Sequence, residues 1–246
     1  MKKRSCVVIP ARYGSSRYPG KPLVPLLGKP MILWVAEVAA KAVGQSHVYV
    51  ATDDSRILES VQRAGFQALM TSSSALTGTD RLYEVSQQID YQNYINVQGD
   101  EPLVDPQDIA KCISLKAKHP NLVINGFTWL SPDEDPSSVN IPKVITTESD
   151  IMVYMSRLPI PGSKTPDQHP RQFKKQVCIY GFSKSDLLAF NNFQRKSHLE
   201  ASEDIEILRF LELGRQVLMY ECKPGSLAVD VPEDVAAVEE QLRKRI

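Results

Sequence analysis

The chain has 246 residues, 42% of them hydrophobic and 24% charged, the make-up of a soluble globular protein with room for one large α/β domain or two closely joined parts. Its 29 Lys and Arg balance 29 Asp and Glu, so no general nucleic-acid or membrane field exists and any basic binding surface is local. The four cysteines (Cys6, Cys112, Cys178, Cys222) lack CxxC spacing, so buried free thiols in a reduced, cytoplasmic protein are expected.

Cys6 to Ile9, ending at Pro10, is a short continuous apolar run, as in a strand buried on both faces. It is too short for the apolar core of a secretory leader, and no later stretch approaches the roughly 20 apolar residues of a membrane span. Helical spacing follows from Met31 to about Val43, stopped by Gly44, and then a strand from His47 to Ala51. Asp53 is expected to cap a helix carrying Ile57, Leu58, Val61 and Ala64. A short strand (67–70), a Ser/Thr-rich loop (71–79), a helix from Asp80 to about Ile89 and a strand from Tyr94 to Gln98 come next. Strands alternating with helices at this spacing predict a mostly parallel central sheet with helices on both faces, a Rossmann-like α/β fold. Beyond a helix at 108–117, strands are expected at 123–129, 143–147, 176–182, 217–221 and 227–229, with a polar, Pro-rich excursion from Ile160 to Pro170. Helices are expected at 183–193, as one amphipathic run at 203–212, and from Pro232 onward.

Three segments carry candidate chemistry. The first is the loop that leaves the opening strand, Arg12-Tyr13-Gly14-Ser15-Ser16-Arg17-Tyr18-Pro19-Gly20-Lys21. It lies where ligands gather in open α/β sheets. Gly14 and Gly20 permit close backbone approach to an anion, Ser15 and Ser16 add donors, and Arg12, Arg17 and Lys21 add three cations. The loop is not a Walker A motif, because Pro22 stands where Ser or Thr must bind magnesium, and it lacks GxGxxG. The plain alternative is a solvated polar turn.

The second segment is Gln98-Gly99-Asp100-Glu101-Pro102, where Asp100 either binds Mg²⁺ shared with phosphates or faces water ahead of a helix. The third is Val229-Asp230-Val231-Pro232, where Asp230 either caps the last helix or supplies a second Mg²⁺ ligand. The loop to Arg81, with Gly78-Thr79-Asp80, can read a base through backbone groups. Asp53-Asp54 either caps a helix or stands as the DxD pair of a nucleotide-sugar glycosyltransferase. The four histidines (47, 119, 169 and 198) show no metal or triad spacing, and no Gly-x-Ser-x-Gly elbow occurs.

Taken together, IPARYGSSRYPGKPL, YVATDD, TGTDRL, NVQGDEP, YMSRLPIP, IYGF and VDVPED, in this order along nearly the whole chain, resemble the CMP-Kdo synthetases (3-deoxy-manno-octulosonate cytidylyltransferases). The resemblance implies a Mg²⁺-dependent nucleotidyltransferase fold and activity: CMP passes from CTP to the anomeric hydroxyl of Kdo, an acidic deoxy-sugar, and pyrophosphate leaves. It implies that Arg12 and Lys21 neutralise the triphosphate, with Gly14, Ser15, Ser16 and Arg17 shaping the loop. Ala11, Thr77, Gly78 and Arg81 would hold the nucleotide, and Asp100 and Asp230 the metal. Gln98, Arg157, Gln176, Tyr180, Glu203 and Glu206 would line the sugar site.

The same resemblance divides a single domain into a nucleotide-binding part (about 1–118), a sugar-binding and dimerisation part (about 119–226) and a returning metal-site strand and helix (227–246). It implies a cytoplasmic homodimer that serves lipopolysaccharide or capsule synthesis, with no nucleic-acid partner and no membrane insertion. The chain departs from the family on the sugar half. Gln176 replaces the His of a run like RHLGIYGY, Ile207 replaces an amide, and 160–171 is unlike the usual pattern. A modified Kdo or another acidic ulosonic sugar is therefore the alternative acceptor. A glycosyltransferase is less favoured, since it needs no three-cation loop.

Overall fold

The computed structural model describes residues 3–14, 18–164 and 172–245. In chain order the elements are β1 (Lys3–Ala11), the hairpin β2 (Pro25–Leu26) and β3 (Lys29–Pro30), α1 (Met31–Val43), β4 (Val48–Thr52), α2 (Ser55–Arg63), β5 (Gln67–Met70), α3 (Gly78–Gln88), β6 (Tyr91–Val97) and α4 (Pro106–Lys118). Then come β7 (Val123–Trp129), β8 (Lys143–Thr146), β9 (Met152–Ser156), β10 (Lys174–Ser183), α5 (Lys184–Asn192), α6 (His198–Glu203), α7 (Leu208–Glu212), β11 (Val217–Glu221) and α8 (Asp234–Arg243).

A nine-stranded sheet follows the order β11-β7-β10-β6-β1-β4-β5, with β8 branching from β10 and β9 pairing β8. Strands β6, β1, β4 and β5 are parallel neighbours, as are β7 and β11. Only β10 on this path runs against its neighbours, pairing antiparallel with both β6 and β7. The mostly parallel α/β architecture expected from the alternating pattern is thus observed, built around one reversed strand. The sheet draws strands from both sides of residue 118.

Alternation along β1 shows how the layers form. Cys6 and Val8 face one side of the sheet and Val7, Ile9 and Ala11 the other, all buried. The first side packs Leu82 and Val85 of α3, Leu187 and Phe190 of α5, and Leu208 and Phe210 of α7. A run of rings continues this layer: Phe182 stacks on Tyr180 (6.0 Å) and on Phe210 (5.3 Å), and Phe210 meets Phe190 at 5.0 Å. The second side packs Ile32, Val35 and Ala39 of α1, Ile57 and Val61 of α2, and Ile109 and Cys112 of α4. Each such aliphatic or aromatic side chain contributes about 1.5–3 kcal/mol on burial. A third, smaller cluster (Leu26, Leu103, Val229, Leu242) clamps α8 onto the β2–β3 hairpin.

Several local expectations are corrected. Asp54, not Asp53, caps α2, accepting from Arg56 N at 2.9 Å. The expected single helix over 203–212 is two short helices, parted at Asp204, whose φ is 50°. Tertiary bonds replace the helical ones there: Asp204 O accepts from Arg157 Nη2 at 2.9 Å, while Glu203 turns its carboxylate to Ser156 and Arg157. Residues 227–229 are not a strand, although Val229 N donates to Asp100 O at 2.9 Å. The last helix starts at Asp234 rather than Pro232, and the Asp234 carboxylate accepts from Asp230 N and Val231 N. Strand β9 was not anticipated; it is short and is recruited by pairing with β8.

Candidate active site

The carboxyl ends of β1 and β6 approach closely because residue 99 has no side chain: a Cβ there would lie 2.8 Å from Pro10 O. That approach aligns the first loop with the Asp100 segment at the edge of a cavity of about 790 Å³. Ala11, Arg12, Lys21, Thr77, Gly78, Arg81, Gln98, Asp100, Arg157, Gln176, Tyr180, Glu206 and Asp230 all line it. Of the other expected site residues, Gly14 is exposed and does not line the cavity. Ser15 and Ser16, with Arg17, lie outside the described residues.

The loop is anchored at its base. Gly20, at φ 72°, begins the 3-10 turn that carries Lys21, and its N–H donates to Tyr13 O at 2.9 Å. The Tyr13 ring packs over Gly20 and under the Arg56 guanidinium, 3.4 Å from the ring centroid. Tyr13 N donates to Asp53 Oδ1 at 3.4 Å. Asp53 Oδ2 in turn accepts from Arg81 Nη2 at 2.9 Å, while Arg81 Nη1 donates to Thr71 Oγ1 and Ser72 O. Arg81 thus lines the cavity while its buried guanidinium also ties the bases of three loops together. Asp53, taken as a cap or half of a DxD pair, is its counter-ion.

Lys21 stands between the two candidate metal ligands. Its Nζ lies 2.6 Å from Asp100 Oδ2 and 3.4 Å from Asp230 Oδ1. The carboxylates come from segments 130 residues apart, joined by the Val229–Asp100 backbone bond. Their side chains keep 27% and 34% of their surface exposed. Two hard oxygen donors beside a cavity suit a divalent cation that takes its remaining ligands from phosphates and water, as Mg²⁺ does. Among the described residues no group of three or more His, Cys, Asp or Glu forms an all-protein metal cage.

The neighbouring wall is acidic and partly desolvated. Burial pushes the Glu101 and Glu206 carboxyls above their ordinary range. Glu101 accepts from Ser226 Oγ at 2.6 Å and Glu206 from Thr79 N (3.1 Å) and Gln98 Nε2 (3.2 Å). Thr77 and Asp80 form a capping box at the start of α3, and Arg209 Nη1 donates to Asp80 Oδ1 at 3.1 Å. The segment 206–209 therefore braces the Thr77–Thr79 turn.

On the far wall, Arg157 directs Nε to Glu203 O, Nη1 to Val139 O and Nη2 to Asp204 O, which commits three of its N–H groups. Glu203 does not line the cavity, and its expected sugar contact is corrected to a supporting role: the carboxylate accepts from Tyr154 Oη, Ser156 Oγ and Arg157 N. Sequence reasoning missed the pairs Lys175–Glu134 and Lys196–Asp204, which also line the cavity. It missed Asn125, buried beneath Gln176, as well. Lys175 only precedes Gln176 in the run compared with RHLGIYGY, and the other four lie in none of the quoted motifs, so spacing carried no signal for these contacts.

Residues 6–221 match the family model described as cytidylyltransferase. The chain is 40% identical to a 3-deoxy-manno-octulosonate cytidylyltransferase of Leptospira interrogans, over 100% of this chain and 98% of the relative. It is 38% identical to an 8-amino-3,8-dideoxy-manno-octulosonate cytidylyltransferase of Shewanella baltica, over 96% and 97%. Among solved structures it is similar to a CMP:2-keto-3-deoxy-manno-octonic acid synthetase complexed with CTP, with a TM-score of 0.90 and 34% identity over 99% of this chain and 100% of that one. Among the described residues no helix is long and apolar enough to cross a membrane.

Proposed function

This chain belongs to the cytidylyltransferase family, and from that premise we propose that it transfers CMP from CTP to the anomeric hydroxyl of 3-deoxy-manno-octulosonate (Kdo), releasing pyrophosphate. One observation carries the reading. Arg12 and Lys21, with Asp100 and Asp230, line the same cavity as Arg157, Gln176, Tyr180 and Glu206. That shared lining supports one site that takes a polyanion and an acidic polyol together.

The residues divide the work as follows. Exposed Arg12 meets phosphate oxygens with its fork of donors, and Lys21 adds a point charge beside them. The turn Thr77–Gly78 offers backbone groups to the cytosine, held in shape by Glu206 and Arg209. Arg157, fixed through Glu203, has two N–H groups left for the acceptor carboxylate. Gln98, Gln176, Tyr180 and Glu206 offer polar atoms to the sugar hydroxyls. Asp100 and Asp230 would hold Mg²⁺, which supplies positive charge against the phosphate oxygens when bound.

A modified acceptor is the second reading, favoured by Gln176 in the cavity lining and by the 38% identical relatives named for the 8-amino sugar. A cytoplasmic setting is supported by four free cysteines. A homodimer is what the family resemblance implies, with exposed Val153 and Leu158 as candidate contact residues, and the product would serve lipopolysaccharide or capsule synthesis.

The test is pyrophosphate release with each nucleoside triphosphate, with and without Kdo, its 8-amino analogue and EDTA. The expected result is release only with CTP, an acceptor and Mg²⁺ together. Release with the 8-amino sugar alone would move the acceptor, release undiminished by EDTA would remove the metal, and no release with any sugar would sink the reading.

A further inference from the structure

Strand β10 carries an irregularity where it borders the cavity. Val177 pairs with Gly126 of β7, but the next pair is Tyr180 with Asn125, so Cys178 and Ile179 bulge out of register. Asn125, fully buried, plugs the bulge: its Nδ2 lies 3.0 Å from Val177 O and 3.0 Å from Ile179 O. Backbone carbonyls only accept, so the amide atom that faces both must be the NH₂ group. Asn125 Oδ1 then points the other way, to Gln176 Nε2 at 3.1 Å, and that atom must be a donor in turn. Its second hydrogen serves Tyr180 Oη at 3.2 Å. Both N–H groups of Gln176 are thereby committed within the protein. Its Oε1 accepts nothing from the described residues and is not among the buried unpartnered atoms, and Gln176 lines the cavity.

We infer that Asn125 is a positioning residue which locks the polarity of the Gln176 amide, so that Gln176 offers a carbonyl oxygen to the acceptor sugar and selects a hydrogen-bond donor there. This rests on the acceptor site proposed above. A free Gln side chain can rotate its amide to suit either a donor or an acceptor. One locked by two bonds cannot, and a group that only accepts then leaves Oε1 desolvated and unpaired. Tyr180 completes the lock, its phenol oxygen accepting the second Gln176 hydrogen at 3.2 Å.

The test has two parts. In ¹⁵N-labelled protein the Gln176 side-chain amide, assigned by its loss in Gln176→Leu, is expected to show two slowly exchanging protons; fast exchange with water would overturn the lock. This reading needs no sugar and no Asn125 variant. In a double-mutant cycle, Gln176→Leu and Asn125→Ala are each expected to raise the KM for Kdo about tenfold, with the KM for CTP within twofold. The double variant should be no worse than Gln176→Leu alone. Additive losses near a hundredfold, or an equal rise in the KM for CTP, would mean that Asn125 merely supports the fold. Wild-type protein inactive on Kdo would instead reject the acceptor named above. The amide signal would then still decide the lock, and the cycle would be run with the 8-amino sugar.

Discussion

Replacing Asp53 by Ala takes away the counter-ion of a buried guanidinium and the acceptor of Tyr13 N in one step. Arg81 and Asp53 expose only 4% and 16% of their side chains and meet at 2.9 Å. Breaking a buried pair by removing one partner costs about 3–5 kcal/mol. Arg81 keeps Thr71 Oγ1 and Ser72 O, and the residual exposure of Asp53 lets water reach the site, so about 2–3 kcal/mol is expected. At about 2–4 °C per kcal/mol for a chain of this size, Tm falls by roughly 5–10 °C. Asp54→Ala is the matched control. It removes an N-cap, which costs about 1 kcal/mol, and an exposed pair with Arg56 that contributes little, so Tm falls by roughly 2–4 °C. Thermal melts by circular dichroism separate the two, and the KM for CTP adds a second readout: Asp53→Ala raises it severalfold because the Tyr13 end of the phosphate loop is released, whereas Asp54→Ala leaves it within twofold. Equal Tm losses, or a larger loss for Asp54→Ala, would refute the anchor and return Asp53 to an ordinary cap.

Asp100→Ala is expected to abolish pyrophosphate release while leaving the circular dichroism spectrum unchanged; near-normal turnover would remove Asp100 from the metal site. Glu203→Ala frees Arg157 from its backbone N–H acceptor and should raise the KM for Kdo about tenfold or more, for a loss of about 1–2 kcal/mol, with the KM for CTP unmoved. A parallel rise in both constants would contradict a role confined to the acceptor wall. Glu206 makes stability depend on pH. Burial raises its carboxyl above 4.5, so above the unfolded value the native state holds the proton more tightly, and stability falls as pH rises through the folded value. Glu206→Gln lacks this loss. The Tm of the variant minus that of the wild type should therefore grow as pH rises above 4.5, and parallel curves would show that Glu206 does not titrate in that range.

Much of the fold was legible because apolar periodicity is a local property. The buried run Cys6–Ile9, the helical spacing of Met31–Val43 and the alternation of strands with helices all mapped onto the observed elements. What misled was competition for hydrogen bonds. The 203–212 run has helical apolar spacing, yet Asp204 gives its carbonyl to Arg157, and the helix breaks there. The Asp53-Asp54 pair offers two equivalent carboxylates to a helix start, and only the distant Arg81 decides which one caps it. Asn125 was invisible because one buried amide in a strand has no motif; its meaning comes from a bulge on the neighbouring strand.

The residues that the amino-acid sequence alone determined are those whose chemistry is carried by contiguous runs. A cationic glycine loop after a buried strand and a carboxylate after another, Arg12 to Lys21 and Asp100, are the contiguous runs from which a candidate polyanion site is read. Tertiary structure decided which charged groups are also tied to partners within the protein. Arg81 and Glu203 carry the same charges as Arg12 and Glu206, but strand order and burial commit them to Asp53 and to Arg157. The reversed strand β10 then brings Gln176 and Tyr180 opposite Asp100 and Asp230. Charge type is written residue by residue, whereas the partner that neutralises it is chosen by packing across segments far apart in the chain.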